Sequence, residues 1–134
     1  MAQKLVVTES LTNEMIEAGA DLAHLLKAAP IEVIACLWHF LPEPNVWRLI
    51  VASPEVAEYG PKKVYRKIQN ILSEIPEEKP SIGLTDISAV AHDNSLVSLL
   101  RKAVRTNNGV SGIRFSRNVI DGQYIEDTYI YFIS

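Results

Sequence analysis

Two neighbouring segments, residues 32–40 and 46–53, are almost continuously apolar and rich in residues that favour β-strands. Two prolines and an asparagine lie among the five residues that separate them (41–45), which is typical of a turn. A strand with one face in solvent alternates apolar and polar residues, and these two segments do not. We therefore expect an antiparallel hairpin that lies centrally in a sheet and is covered on both faces.

Local patterns predict the remaining elements. Apolar residues at spacings of three and four indicate amphipathic helices, and a serine followed by proline indicates a further short helix. The predicted helices are 11–29, 54–59, 61–74 and 94–106, and the further predicted strands are 84–91, 113–120 and 123–133. Asp121-Gly122 is the preferred residue pair for a two-residue hairpin turn between the last two strands.

Several single residues refine the helix predictions. Thr8 or Ser10 is expected to cap the first helix and Asp93 the last, because short oxygen-bearing side chains accept from free N–H groups. Gly19 lies inside the first helix at a cost of about 1 kcal/mol, which favours close packing there. The run Asn107-Asn108-Gly109 is expected to end the last helix.

These elements predict a single α+β domain over residues 1–134. The chain has 134 residues, of which 48% are hydrophobic and 22% charged, as expected for one globular domain. The predicted order is α-β-β-α-α-β-α-β-β, with helices packed against a five-stranded, mostly antiparallel sheet. Strand 84–91, helix 94–106 and strand 112–120 are expected to form a crossover that gives one parallel strand pair.

Composition removes several classes of function from consideration. The first residues lack the pattern of a secretory signal, and every apolar run is too short to span a bilayer of roughly 30 Å. We therefore expect a cytoplasmic protein without membrane contact.

Cys36 is the sole cysteine, and it lies three residues from His39 on a predicted strand, so the two side chains point to opposite faces. Neither a metal nor a cofactor is expected, because the required ligand spacing and nucleotide-binding motifs are missing.

A cluster of basic residues at the start of the third predicted helix is the strongest functional signal. The cluster comprises Lys62, Lys63, Arg66 and Lys67, with Tyr65 among them. The N-terminal end of a helix already carries partial positive charge, so cations there are electrostatically unfavourable. The same N–H groups together with lysines are suited to anions. The cluster therefore predicts an anion-binding surface; the structural alternative is a solvated basic face.

Charge is also unevenly distributed along the chain. Residues 61–117 carry ten basic and five acidic side chains, whereas the whole protein has a net charge of −3. Arg101, Lys102 and Arg105 form a secondary basic patch in the last turns of the predicted fourth helix, where the dipole favours cations. If both helices lay on one face of the sheet, the two groups would merge into a surface for several phosphates.

The C-terminal hairpin provides a second candidate site. Counting outward from Asp121-Gly122 pairs Val119 with Tyr124 and Arg117 with Glu126 on a mainly apolar face. The opposite face is predicted to carry Asn118, Ile125, Arg114, Ser116, Asp127 and Tyr129. The last four of these residues are the candidate catalytic group; the structural alternative is a set of ordinary cross-strand pairs.

Three hypotheses about function follow. The leading one is a non-catalytic binding or adaptor module whose basic helix start faces nucleic acid, phosphate or an acidic partner protein. The second is a small metal-independent RNase or toxin-like hydrolase that uses the polar face of the C-terminal hairpin. The third is a structural subunit of a homo-oligomer, in which the first hairpin and the terminal strand offer an edge to another copy.

Overall fold

The computed structural model describes residues 3–107 and 109–134. In this part of the chain the helices are α1 (Asn13–Ala28), α2 (Glu55–Tyr59), α3 (Pro61–Leu72) and α4 (Ser95–Leu100). The strands are β1 (Gln3–Lys4), β2 (Ala35–Leu41), β3 (Val46–Ala52), β4 (Pro80–Ser81), β5 (Ile87–Val90), β6 (Ile113–Phe115), β7 (Asn118–Ile120), β8 (Gln123–Ile125) and β9 (Thr128–Ile133).

A five-stranded, mostly antiparallel sheet organises the fold, in the order β5-β3-β2-β9-β6. The predicted first hairpin is confirmed: β2 and β3 pair antiparallel from Ala35–Ala52 to Leu41–Val46, and both are interior strands. The small pairs β1-β4 and β7-β8 lie outside this sheet. The molecule is thus the single α+β domain that the sequence predicts.

Helices and the small hairpin cover both faces of the sheet. On one face, α1 and α3 pack on Cys36 and Trp38 of β2. On the other face, α4 and the β7-β8 hairpin pack on Ala35 and Leu37 of the same strand. Because consecutive strand residues point to opposite sides, α3 and α4 lie on opposite faces of the sheet.

The first helix is capped by a different residue from the one expected. The Thr12 hydroxyl accepts from the Met15 N–H at 3.1 Å, whereas the Thr8 hydroxyl is bonded to the Ser10 carbonyl. The prediction for Gly19 is confirmed, because a Cβ there would collide with the Tyr131 hydroxyl. That hydroxyl accepts from the Trp38 indole N–H at 3.0 Å and donates to the Ile16 carbonyl at 2.7 Å, so α1 and the sheet meet through a buried polar contact.

Two predicted elements in the second half of the chain are shorter than expected. The segment 84–91 begins as a 3-10 turn over Leu84–Asp86, and the strand starts only at Ile87. Helix α4 is capped by Asn94 rather than Asp93 and ends at Leu100. Beyond the helix, the Thr106 N–H donates to the Ile133 carbonyl of β9. Asn108 of the predicted terminator lies outside the described residues.

The predicted crossover is wrong. β5 and β6 lie at opposite edges of the sheet, so segments 84–91 and 112–120 do not pair. The parallel pair in this sheet joins β3 to β5, with Leu49 opposite Ile87 and Ala52 opposite Val90. The strands expected to offer an edge to another copy, β2, β3 and β9, lie inside the sheet, whose edge strands are β5 and β6.

The C-terminal hairpin follows the predicted register but not the predicted faces. Asp121 and Gly122 have φ values of 50° and 74°, and Ile120 pairs with Gln123 as expected. Pairing stops at residues 116–117, where Arg117 takes a positive φ of 47°, and resumes between Phe115 and Thr128. Between this break and the turn, the side chains point to the faces opposite to those predicted, so that Ile125 is buried. Val119 and Tyr124 are instead 59% and 56% exposed.

Candidate functional site

The start of α3 is built without the groups that usually neutralise a helix N-terminus. Gly60 provides no capping side chain, Pro61 occupies the first helical position, and the first turn contains no acidic residue. Lys62 and Arg66 are exposed, and neither has an ion pair within 4.0 Å in the described part of the chain. Positive side chains therefore remain available where the helix dipole is also positive.

Lys67 is already paired. Its ammonium lies 2.5 Å from the Glu55 carboxylate, whose side chain is 11% exposed. The other Glu55 oxygen accepts from the Glu32 N–H at 2.7 Å. Hydrogen bonds from Lys67 and from the Glu32 backbone lower the pKa of Glu55. Lys67 therefore helps to fix α2 and α3 to the segment before β2.

Two tyrosines near the basic cluster have different environments. The Tyr65 hydroxyl accepts from the Ala89 N–H at 3.0 Å, which satisfies a donor on the outer side of edge strand β5. Tyr59 is 50% exposed, and the Lys63 ammonium lies 4.4 Å from the centre of its ring. A hydrogen bond with Glu58 raises the pKa of the Tyr59 phenol. An aromatic side chain at the edge of the cluster is thus accessible to a ligand.

We name the three exposed cations of the cluster, together with the neighbouring Tyr59, the α3 basic surface (Lys62, Lys63, Arg66 and Tyr59). The sequence pattern correctly indicates its three cations, but it predicts Tyr65 rather than Tyr59 as the aromatic residue of the site. The 3.6-residue helical period places residues 64, 65 and 68 toward the molecule and residues 62 and 66 outward. The helical period therefore indicates, from the sequence alone, that Tyr65 does not belong to the exposed surface.

The secondary basic patch, Arg101, Lys102 and Arg105, follows α4 instead of lying within its last turns. Arg101 donates from Nε to the Ser134 carbonyl at 2.6 Å, and Lys102 is paired with Asp121. Because α3 and α4 lie on opposite sheet faces, this patch does not merge with the α3 basic surface. The wide basic surface that would accommodate several phosphates is therefore not formed.

The four candidate catalytic residues lie close together where β6 ends and β9 begins. Arg114 forms a two-point pair with the Asp127 carboxylate, with Nε to Oδ1 at 2.7 Å. Burial raises the pKa of Asp127, but hydrogen bonds from Arg114 and Ser116 outweigh it and leave that pKa below its ordinary value. Tyr129 lies opposite Arg114 in the β6-β9 pair, with its hydroxyl beside Gly112 and its ring against that of Tyr131. The expected ion pair between Arg117 and Glu126 is not formed, although both residues are described.

The Arg114–Asp127 pair has the properties of a structural contact. An ionised carboxylate held by a guanidinium and a hydroxyl is a poor general base, and the Ser116 hydroxyl has that carboxylate as its partner rather than a histidine. The Arg114 guanidinium also lies 5.5 Å from the centre of the Trp47 ring, so it connects β6 to β3 across the sheet. These contacts supply no activated nucleophile.

The remaining sequence candidates are structural in character. Cys36 is fully buried, and burial raises the pKa of its thiol far above the ordinary value. His39 is half-buried on the opposite face of β2, and burial lowers the pKa of its imidazole. No group of three or more potential metal ligands occurs among residues 3–107 and 109–134.

A cleft of about 420 Å³ lies between the C-terminal half of α1 and α3. Its walls are mainly apolar and include Leu25, Pro30 and Ile71. Lys67 is the one cation in its lining, and it is paired with Glu55. This cleft is therefore not suited to an anion.

Within the described ranges, no helix is both long enough and apolar enough to cross a bilayer. The chain matches no protein-family model, and neither a curated protein nor a solved structure is significantly similar to it.

Proposed function

We propose that the protein is a non-catalytic binding module that docks an acidic segment of a partner protein on the α3 basic surface. One observation carries the proposal: Lys62 and Arg66 are exposed at a helix start and have no ion pair among the described residues. An unpaired cation in the first turn of a helix, as Lys62 is, costs about 0.3–1 kcal/mol. A carboxylate-bearing partner would remove that cost.

The small extent of the surface favours a protein partner over a nucleic acid. Three cations are available, and the whole chain carries a net charge of −3, so a long phosphate backbone would meet repulsion beyond the site. Tyr59 adds an exposed ring beside the cations. Tyrosine together with arginine is enriched in protein interfaces. We therefore expect a short acidic segment, with an apolar residue in contact with Tyr59.

Charge reversal at the α3 basic surface tests the proposal. A fluorescent poly-glutamate peptide serves as the probe, and its fluorescence anisotropy is measured at low salt. We expect Arg66→Glu to weaken binding about tenfold, which corresponds to about 1.4 kcal/mol. Arg105→Glu is the matched control, because Arg105 is also exposed and has no ion pair among the described residues but lies beyond α4. The control should change affinity far less.

A parallel experiment with RNA tests whether the partner is a nucleic acid instead of a protein. Single-stranded poly-uridine RNA contacting three cations would show a slope of about −2 for the logarithm of the binding constant against that of salt concentration. The proposal predicts weaker binding of this RNA than of the peptide. Equal effects of Arg66→Glu and Arg105→Glu on the peptide, or tight binding of the RNA alone, would overturn it.

A further inference from the structure

Arg48 occupies an unusual position at the edge of the sheet. It lies on β3, and its half-buried side chain reaches across β5 to the 3-10 turn that precedes that strand. Its Nε donates to the Ser88 hydroxyl at 2.7 Å, and its two terminal nitrogens donate to the Thr85 and Ile87 carbonyls, each at 3.0 Å. All three acceptors are neutral.

The guanidinium has no counter-ion in the described part of the chain. No carboxylate lies within 4.0 Å of it, although Asp86 belongs to the same 3-10 turn. A guanidinium has five N–H donors, and three of them are used here. Two donors and a full positive charge are thus left at a partly buried position, where an anion is attracted more strongly than in bulk water.

Arg114 shows the contrast within the same sheet. Its guanidinium binds the Asp127 carboxylate at two points, and Asp127 is 15% exposed. That arginine is neutralised by its own chain. Arg48 lies at the other side of the sheet with backbone carbonyls and one hydroxyl as its partners, so its charge is available to a ligand.

A shallow and widely open cleft lies beside Arg48. Its volume is about 330 Å³, and it is lined by Arg48, Tyr65, Leu84, Thr85 and Ile87. The lining is apolar except for the guanidinium, the two hydroxyls and the backbone. A side chain with a few methylene groups and a terminal carboxylate matches this combination of apolar walls and one cation.

The cleft adjoins the α3 basic surface. Tyr65 contributes one wall, and Lys62 lies three residues earlier on α3. Residues three apart on a helix are neighbours on its surface, with about 5–6 Å between their Cβ atoms. Lys62 and Tyr65 are therefore neighbours on the surface of α3, and we expect a segment bound at Lys62 to reach the cleft.

We infer that this cleft is the subsite that receives one glutamate or aspartate side chain of the acidic partner, with Arg48 as its binding group. The inference rests on the proposed function and adds an anchor to it. A carboxylate is favoured over a phosphate because Arg48 is the one cation among the residues that line the cleft, and it matches a single negative charge. A phosphate group carries about −1.5 to −2 at neutral pH.

Thr85 offers a test that leaves Arg48 in place. Its side chain is exposed and lines the cleft, whereas its backbone carbonyl is the group that Arg48 contacts. In Thr85→Glu, a carboxylate on the chain itself occupies the subsite. Thr85→Gln has the same length without the charge. We expect Thr85→Glu to bind the poly-glutamate peptide about tenfold more weakly than Thr85→Gln.

A second control separates local from general charge effects. Ser73→Glu adds the same charge at the exposed end of α3, away from the cleft, and should change affinity less than about threefold. In the intact protein, the Nε–H signal of Arg48 in nitrogen-edited NMR spectra should shift when the peptide is added. This signal reports the subsite directly.

The outcomes distinguish the subsite from the proposed function. A loss specific to Thr85→Glu together with a shift of the Arg48 signal supports the subsite. If Arg66→Glu weakens binding while Thr85→Glu and Thr85→Gln bind equally and the Arg48 signal is unmoved, the subsite is refuted and the α3 surface remains. If no variant weakens binding, both ideas are refuted.

Discussion

The two basic groups lie on opposite sides of one sheet and differ in what surrounds their charges. After α4, Arg101 binds the Ser134 carbonyl and Lys102 is paired with Asp121. At the start of α3, Lys62 and Arg66 have no such partner among the described residues. The number of basic residues in a group therefore does not indicate how many of them are available to a ligand. Neighbouring carbonyls and carboxylates determine which cations are already bonded.

Helix position explains part of the difference. Cations that follow a helix lie near its carbonyl end, where the dipole favours them, whereas cations in the first turn oppose it. Within the α3 cluster itself, Lys67 belongs with the paired cations because Glu55 holds it. The division between paired and available charges therefore runs through the cluster and can be tested residue by residue.

The largest expected effect comes from breaking the Lys67 pair. Glu55→Gln leaves the ammonium beside a nearly buried amide, so we expect a loss of about 2 kcal/mol in the free energy of unfolding at neutral pH. Urea denaturation measures this loss. The exposed residue Glu74 is the matched control, and Glu74→Gln should change stability by less than about 0.5 kcal/mol.

The same pair predicts a dependence on pH. The pKa of Glu55 is lower in the folded protein than its ordinary value of 4.5. Its stabilising contribution is therefore complete above that ordinary value and is lost as the pH falls through the lower folded pKa. The stability difference between the wild-type protein and Glu55→Gln should shrink in acid. A difference that is constant from neutral to acidic pH would contradict this assignment.

An intermediate effect is expected on the other side of the sheet. Arg101→Ala removes the hydrogen bond to the Ser134 carbonyl and should lower the free energy of unfolding by about 1 kcal/mol. Arg105→Ala removes an exposed cation without such a bond and should be near neutral. Equal losses in the two variants would show that the contact at Arg101 is not what distinguishes them.

The smallest effects should have opposite signs. Lys62→Gln removes a charge that opposes the helix dipole and should raise stability by about 0.5 kcal/mol. Lys102→Gln removes an exposed ion pair with Asp121 and should lower stability by about 0.5 kcal/mol. Thermal denaturation at low salt measures both changes, and both should fade at high salt because exposed charges are screened. If both variants changed stability in the same direction, the proposed difference between the cations of α3 and those after α4 would be contradicted.

Local signals in the sequence predicted much of the fold. The β2-β3 hairpin and the Asp121-Gly122 turn were correctly predicted because adjacent residues determine them. The order of the strands was not, because β9 pairs with β2 across about ninety residues of intervening chain. Helix α4 was predicted too long for a similar reason, since the predicted end of the helix is bonded to a strand that is distant in sequence, through Thr106 and Ile133.

The candidate site was predicted only in part. A run of four cations was visible, but the pairing of Lys67 depends on Glu55, which a turn between two helices brings near. Nothing in the sequence near Arg48 indicates a binding role. What distinguishes this arginine is that no carboxylate lies within ion-pair distance of it in the described part of the chain. Such a feature becomes visible only after the sheet is assembled.

The most direct test of the central claim is a map of backbone amide chemical shifts during titration with the poly-glutamate peptide. The account predicts that the largest changes fall on residues 59–66 at the start of α3, and that residues 101–105 after α4 stay nearly unmoved. Changes centred on residues 101–105, or spread evenly over all basic residues, would contradict it.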